Sequence, residues 1–297
     1  MSTIKVDKIT GRTGSGGASS PLQFAGDTLD VIKLTPTTTA NAPTGTEGAL
    51  YYDSDKNTLM HYDGTAWVQV KTTVNVDRPG DGEYTIDAYT KLLLHANGNG
   101  TDASGNDHTV SAIGNAFFTT AANKMGTGSL DCYTGNVQGD HFTCAPSTDF
   151  SFGTAPFTID FWVILRDTES MANIFLLGAH NGGGEIKMRA TGGGGFNLEM
   201  TDTAANAAQY AINATPSGNI PLNTWFHVAI VRQDNIISLY YNGHLEGTVS
   251  STNSSGGNVG ITMGSRNIST QNLDGCLDEV RISKGIARWN GGFTVYV

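Results

Sequence analysis

The sequence predicts an all-β protein: a large C-terminal antiparallel β-sandwich preceded by an extended arm and a small β-meander. Three observations predict it. Glycine accounts for 38 of 297 residues, about 13% against a usual ~7%. Charged residues make up 15%, against a usual ~25%. Short stretches with apolar residues at every second position recur along the chain, and Asp-Gly and Asn-Gly pairs punctuate them. Such pairs suit two-residue hairpin turns, whose central residues both need positive φ. One Ala-rich string, TDTAANAAQYAI at 201–212, is a helix candidate set among loop sequences. Aromatics at 9% and apolar residues at 38% exclude disorder.

Charge and cysteine content narrow the function. The net charge is −10 and no run of Lys or Arg occurs, which excludes a nucleic-acid partner and a basic membrane anchor. The longest apolar stretches, such as FWVIL at 161–165, are too short to insert across a bilayer. The opening MSTIKVDKIT has no apolar core of a secretory signal. Cys132, Cys144 and Cys276 are an odd count in a long chain, so a disulfide framework is excluded. Cys132 and Cys144 can pair if their strands are neighbours; free buried thiols of a reducing compartment are the preferred reading. No CxxC, HExxH or Cys/His cluster suggests zinc.

Four regions follow in order. Residues 1–34 hold a Gly/Ser patch, GRTGSGGASS, between two β-like pieces, and read as an arm. Residues 35–75 open on a Thr/Pro/Asn/Ala spacer and continue as GTEGALYYDSDKNTLMHYDGTAWVQV. ALYYD, TLMHYD and AWVQV are three strand candidates, the last two joined by Asp63-Gly64. A meander this small cannot bury enough apolar surface alone. Leu50, Tyr52, Leu59, Tyr62 and Trp67 are therefore candidate oligomerisation residues, with a homotrimer expected. The string Asp53-Ser-Asp55-Lys-Asn57 imitates half of a calcium loop but has Thr58 where Gly is needed, and reads as a turn. Residues 76–90 read as a linker. Residues 91–297 form one domain, with strands at FTIDFWV, TWFHVAIVRQ, a hairpin ISLYYNGHLEGTV tipped by Asn242-Gly243, then ITMGSRN and CLDEVRIS. In FTIDFWV, Phe157, Ile159, Phe161 and Val163 share one face, and Thr158, Asp160 and Trp162 the other.

Two resemblances attach to these residues. Gly45, Gly48, Leu50, Tyr51, Asn57, Leu59, Tyr62, Asp63, Gly64 and Trp67 match short modules of phage tail-fibre and other virion appendage proteins. The opening STIKVDKITGRTGSG resembles the N-termini of phage virion structural proteins, which attach to the particle. The large domain resembles the concanavalin A-like lectin/glucanase jelly rolls of laminin G type. The motifs occur in order: LLLHANGNGTDASGND, GTGSLDCYTGNVQGDHFTC, FTIDFWV, NTWFHVAIVRQDNIISLYYNGHLEGT and LDGCLDEVRISKGIAR.

The resemblance implies two chemistries to look for. Glucanases of this fold present two carboxylates from one strand in an E-x-D-x-x-E string. The nearest string here is LDEVRIS, where adjacent Asp278 and Glu279 are expected on opposite faces, so catalysis is not expected and no catalytic residue is assigned. His227, between Phe226 and Val228, is read as a packed structural histidine, and Trp162 and Trp289 as packing aromatics. Jelly rolls of this type often hold Ca2+ through loop oxygens. Asp102, Asn106, Asp107 and Asp278 are the candidate ligands, the last brought near if the first and last strands pair. The alternative is an ordinary Asx-turn loop. Glycan-binding residues are not assigned; HNGGGE (180–185), TGGGG (191–195) and SSTNSSGGN (250–258) are candidate loops.

The reading is a non-enzymatic virion structural protein of a tailed bacteriophage. It attaches to other virion proteins through residues 1–75 and displays a lectin-like domain toward a host-surface glycan. Two placements stay open, a tail fibre or appendage and a head decoration or head fibre. A glycoside-active enzyme is the rival from another class.

Overall fold

The computed structural model describes residues 36–55, 58–69, 79–80, 82–132, 139–167, 172–178, 184–201, 208–217, 219–252, 254–256, 259–265 and 271–296. The arm at 1–34 lies outside the described residues. The chain divides into two compact units, residues 1–73 and 74–297.

The smaller unit is a four-stranded sheet of Pro36–Thr37, Leu50–Asp53, Thr58–Tyr62 and Trp67–Gln69. The expected meander is present, and the short Pro36–Thr37 strand adds to it in parallel. Asp63-Gly64 does not make a two-residue turn. Tyr62 pairs with Trp67 across a four-residue loop, because the Asp63 carboxylate accepts from the N–H groups of Thr65 and Ala66 at 2.8 Å each and from the Thr65 hydroxyl at 2.7 Å. Those bonds hold the Asp63 carboxyl at about 2. Buried Asp53 closes the other end, accepting from the Tyr51 and Thr39 hydroxyls and the Asp55 N–H. Of the string at 53–57, residues 53–55 thus open a turn, and residues 56–57 lie outside the described residues.

The larger unit is a sandwich of two antiparallel sheets. One has, in spatial order, His244–Ser250, Ile236–Tyr241, Phe226–Gln233, Phe157–Leu165, Gly275–Lys284, Ser129–Asp131 and Phe117–Thr119, with Thr90–Leu94 also paired to Gly275–Lys284. The other has Ala208–Ala214, Gly195–Thr201, Ile186–Thr191, Ala172–Leu177, Val259–Met263, His141–Ser147 and Val110–Ile113. Phe157, Ile159, Phe161 and Val163 enter the core between the sheets, as alternation requires. Phe161 stacks on Phe175 of the facing sheet at 5.8 Å. Each such side chain contributes roughly 1.5–3 kcal/mol by leaving water. Among the described residues, no helix is long and apolar enough to cross a membrane.

Both faces of the eight-stranded sheet are covered. On its outer face Tyr84, Leu93 and Trp162 form one small core with Val295 against it, and Ala229, Val231, Tyr240 and Trp289 form another with Phe293. Trp289 stacks on Phe293 with centroids 4.1 Å apart. The segment expected as a linker is in part a covering layer. Tyr84 is buried, and Asp87 accepts from the N–H groups of Tyr89 and Thr90 and pairs with Arg288 at 3.0 Å. Below this layer, buried Asp160 receives Nε and Nη2 of Arg281 at 3.0 Å each, with His227 Nε2 at 3.4 Å. His227 and Trp162 are packed residues, as expected.

One further expectation changes. Residues 202–207 of the helix candidate lie outside the described residues, and 208–214 form a strand paired with Gly195–Thr201. Pairing overrides the helical preference of its alanines, and Ile212 and Ala214 reach the core. All three cysteines are free and buried. Cys144 lies in the seven-stranded sheet and Cys132 follows a strand of the other, so the two do not pair. The Asn242-Gly243 turn is as expected, with φ of 45° and 79° between paired Tyr241 and His244.

Candidate functional site

In the seven-stranded sheet, Met188, Leu198 and Ile212 point to the core, so their chain neighbours face outward. Register lines those neighbours up across the strands. Arg189, Asn197 and Asn213 form one row, and Lys187, Glu199 and Ala211 the next. Arg189 Nε donates to Asn197 Oδ1 at 3.0 Å, and Asn197 Nδ2 donates to Asn213 Oδ1 at 2.8 Å. Lys187 Nζ lies 2.7 Å from Glu199 Oε2 and 3.1 Å from Glu185 Oε1, and Arg189 also pairs with Glu199. Two cations thus meet two carboxylates. Lys187, Arg189 and Asn197 are nearly buried and form a floor; Asn213 is exposed and Glu199 half-buried. The result is a rigid polar surface with donors and acceptors at fixed spacing. Sugar hydroxyls, each donor and acceptor, are complementary to it, and side chains already held in place lose little entropy on binding. Sequence reasoning missed this face. The signal was present, because IKMRAT and GFNLEMT alternate apolar and polar around a Gly-rich turn.

The candidate calcium residues separate into two places. Asp102, Asn106 and Asp107 share one loop, and Asp102 and Asp107 line a shallow hollow of about 340 Å³. Asp102 Oδ1 accepts from the N–H groups of Leu93 and Ser104, and Oδ2 from the Ser104 hydroxyl and His108 N–H. Asn106 donates its amide to the carbonyls of Thr90 and Lys91. Asp107 is exposed, with φ of 57°. The first and last strands do pair, Leu94 opposite Val280. The Asp278 carboxylate, however, meets another segment, accepting from the N–H groups of Lys124 and Met125 at 2.7 and 2.9 Å.

Asp278 and Glu279 do not face opposite ways. Trp162 pairs with Asp278 and Asp160 with Arg281, so Phe161 opposes two residues, a β-bulge. Glu279 takes φ of 48°. Its Oε2 accepts from the Tyr84 N–H at 2.8 Å and its Oε1 lies 2.8 Å from His95 Nδ1. Both carboxylates therefore reach the covered outer face. Burial pushes the Asp278 carboxyl up to about 7, against its backbone N–H donors. Burial also raises Glu279, and the hydrogen bond to Glu279 raises His95. Asp278 and Glu279 are fully buried beneath residues 83–84 and 124–125, a position closed to a polymeric substrate.

In the smaller unit the five candidate oligomerisation residues occupy two faces. Tyr62 and Trp67 share a face with buried Tyr51 and Met60. Trp67 packs edge-on to Tyr51 at 4.6 Å and donates its indole N–H to the Pro43 carbonyl. A Cβ at Gly45 would fall 2.0 Å from the Tyr62 ring. That face is covered by the unit's own spacer. Leu50, Tyr52 and Leu59 share the other face, where Leu50 is 53% exposed. Of the candidate glycan loops, residues 180–183, 253 and 257–258 lie outside the described residues. The 191–195 loop is a tight turn closed by Gly194 N–H to the Thr191 carbonyl.

Sheet order, the filled inter-sheet core and the polar outer face define a lectin-type β-sandwich jelly roll. A family model of the concanavalin A-like lectin/glucanases superfamily, of laminin G type, matches residues 134–287. The chain belongs to that superfamily. No curated protein matches the sequence. Among solved structures, the binding domain of botulinum neurotoxin DC in complex with rat synaptotagmin II aligns at a TM-score of 0.52 and 19% identity, over 67% of this chain and 49% of that one. The receptor binding domain of botulinum neurotoxin D aligns at 0.51 and 17%, over 67% and 50%. This chain thus spans about half of those neurotoxin domains. Domain 4 of AbnA, a GH43 extracellular arabinanase from Geobacillus stearothermophilus solved with arabinotriose, aligns at 0.50 and 17%, over 69% and 95%. At these identities the likeness is one of fold.

Proposed function

We propose that the larger unit is a non-enzymatic glycan-binding domain and that the whole chain is a virion structural protein of a tailed bacteriophage. The observation that carries the binding reading is the ordered polar face of Lys187, Arg189, Asn197, Glu199 and Asn213. The arabinanase domain of the same fold, solved with arabinotriose, supports it. The virion reading rests on the resemblance of residues 45–67 and of the opening segment to phage appendage proteins. In this reading residues 1–75 attach the protein to the particle, Leu50, Tyr52 and Leu59 meet their copies in a trimer, and the jelly roll faces the host.

The test has two arms. Full-length protein is titrated against host-surface polysaccharide and a glycan array, beside an N197A/N213A variant. Saturable binding, weakened at least tenfold in the variant, is expected. Unchanged binding in the variant would remove the sheet face from the reading, and release of new reducing ends would make the protein an enzyme. Gold-labelled antibody against the protein is then applied to phage particles. Tail label supports an appendage, head label a decoration protein, and unlabelled particles would refute the virion role.

A further inference from the structure

Three segments distant in sequence converge beside the bulge of the final strand. Glu83 comes from the covering layer, His95 from just past Thr90–Leu94, and Glu279 from the bulge itself. A ligand atom of each lies within 4.8 Å of the others. His95 Nδ1 and Glu279 Oε1 are 2.8 Å apart. Two donors bound at about 2.0–2.2 Å to one tetrahedral or octahedral cation sit roughly 3–3.5 Å from each other. Only small side-chain shifts therefore separate this arrangement from a coordination shell.

The surroundings are shaped for it. Asn97 donates its amide to Glu83 and accepts from the Thr127 N–H at 2.5 Å, so the exposed Glu83 is held from behind. A Cβ at Gly126 would lie 2.2 Å from Glu83 Oε1 and 2.3 Å from Asn97 Oδ1. A larger residue there would push both away.

The composition of the corner is compatible with that geometry. Glu83, Asp278 and Glu279 bring three carboxylates to this corner, and His95 answers one of them. Asp278 is fully buried and, among the described residues, makes no ion pair. The nearby Lys124 ammonium sits over the Trp162 ring at 4.4 Å. A dication would bring positive charge to a corner where carboxylates outnumber cations.

We propose that Glu83, His95 and Glu279 bind a divalent first-row transition cation, Zn2+ or Mn2+, which staples the covering segment to the final strand. The donor set selects the class. One imidazole nitrogen with two carboxylates suits these ions, whereas Ca2+ takes six to eight oxygens. This site is separate from the proposed glycan face and from the 102–107 loop.

The test uses full-length protein stripped with a chelator and desalted. ZnCl2, MnCl2 and CaCl2 are titrated separately by calorimetry, and CoCl2 is followed by its visible d–d absorption. The expected result is one Zn2+ or Mn2+ per chain, a Co2+ band showing nitrogen–oxygen ligation, and a Tm higher by several degrees at a hundredfold excess over Kd. E83Q and H95Q should each weaken binding at least tenfold. Because Glu83 is exposed, E83Q keeps the fold and decides the matter if H95Q is unstable. No binding of Zn2+ or Mn2+, or binding unchanged in E83Q, would overturn the site. Stabilisation by Ca2+ alone would overturn the assigned class of ion.

Discussion

Arg281→Met is expected to be among the most damaging single changes to the larger unit. Asp160 and Arg281 are both fully buried, and the guanidinium grips the carboxylate through two bonds of 3.0 Å. Burial by itself pushes the Asp160 carboxyl up, but Arg281 and His227 outweigh burial and hold it at about 2, below its ordinary 3.8. That lowering is worth roughly 2 kcal/mol. Because the folded value is the lower one, the stabilisation is complete above about pH 4 and disappears as pH falls through about 2. Removing the guanidinium leaves a buried carboxylate without its main partner, which costs about 3–5 kcal/mol. At about 2–4 °C per kcal/mol for a unit of this size, Tm should fall by roughly 6–20 °C. Calorimetric melts of the wild type, R281M and D160L/R281M at pH 7 measure it. The apolar double variant should recover most of the loss, since neither charge then stays buried. His227 touches the same carboxylate, and burial keeps its own value low. In R281M it can take up a proton, so the defect should shrink between pH 7 and pH 5. A single variant within about 1 kcal/mol of wild type, or a double variant no better than the single, would refute this account of the pair.

Three other outcomes are expected. Gly243→Ala should cost about 2 kcal/mol and loosen the C-terminal tail, because its Cβ would lie 1.9 Å from the Phe293 carbonyl oxygen at a φ of 79°; fluorescence of Trp289, stacked on Phe293, reports it, and an unchanged spectrum and Tm would contradict it. Native protein should resist a thiol reagent such as DTNB at pH 8 and release three equivalents in denaturant, since burial pushes Cys144 to about 11, Cys276 to about 12 and Cys132 well above the ordinary thiol range; rapid native labelling would count against it. Leu50→Glu should lower the solution mass by light scattering if the Leu50 face joins copies, while Trp67→Ala should instead destabilise the smaller unit; equal mass for L50E and wild type would remove that face from any assembly.

What was legible in the sequence followed from local patterns. FTIDFWV alternates and its Phe157, Ile159, Phe161 and Val163 fill the core. Asn242-Gly243 names its turn, and the ordered motifs placed the last strand beside the first. What was illegible depends on register and on distant partners. Nothing near Glu279 in the chain announces the bulge that sets it beside Asp278, and alternation gave the wrong face for that reason. Glu83, His95 and Glu279 are up to 196 positions apart by their numbering, so no spacing rule joins them. Asp63-Gly64 misled because the Asp63 side chain, not the backbone preference, shapes that loop. The glycan question was sought in Gly-rich loops, whereas the ordered polar groups stand on strands.

The two ends of the larger unit are clasped together. The Tyr296 N–H donates to the Pro79 carbonyl at 2.7 Å, and Gly80 lies so close to Tyr296 that a Cβ would fall 1.8 Å from its carbonyl oxygen. The segments leading from this clasp lie on the outer face of the eight-stranded sheet, and the row of Arg189, Asn197 and Asn213 lies on the opposite side of the sandwich. Pro79 and Tyr296, near the two ends of the larger unit, therefore meet on one side of the sandwich, and the polar row lies on the other. Pulling on the two ends would load the clasp first, peeling the covering strips before either sheet is strained.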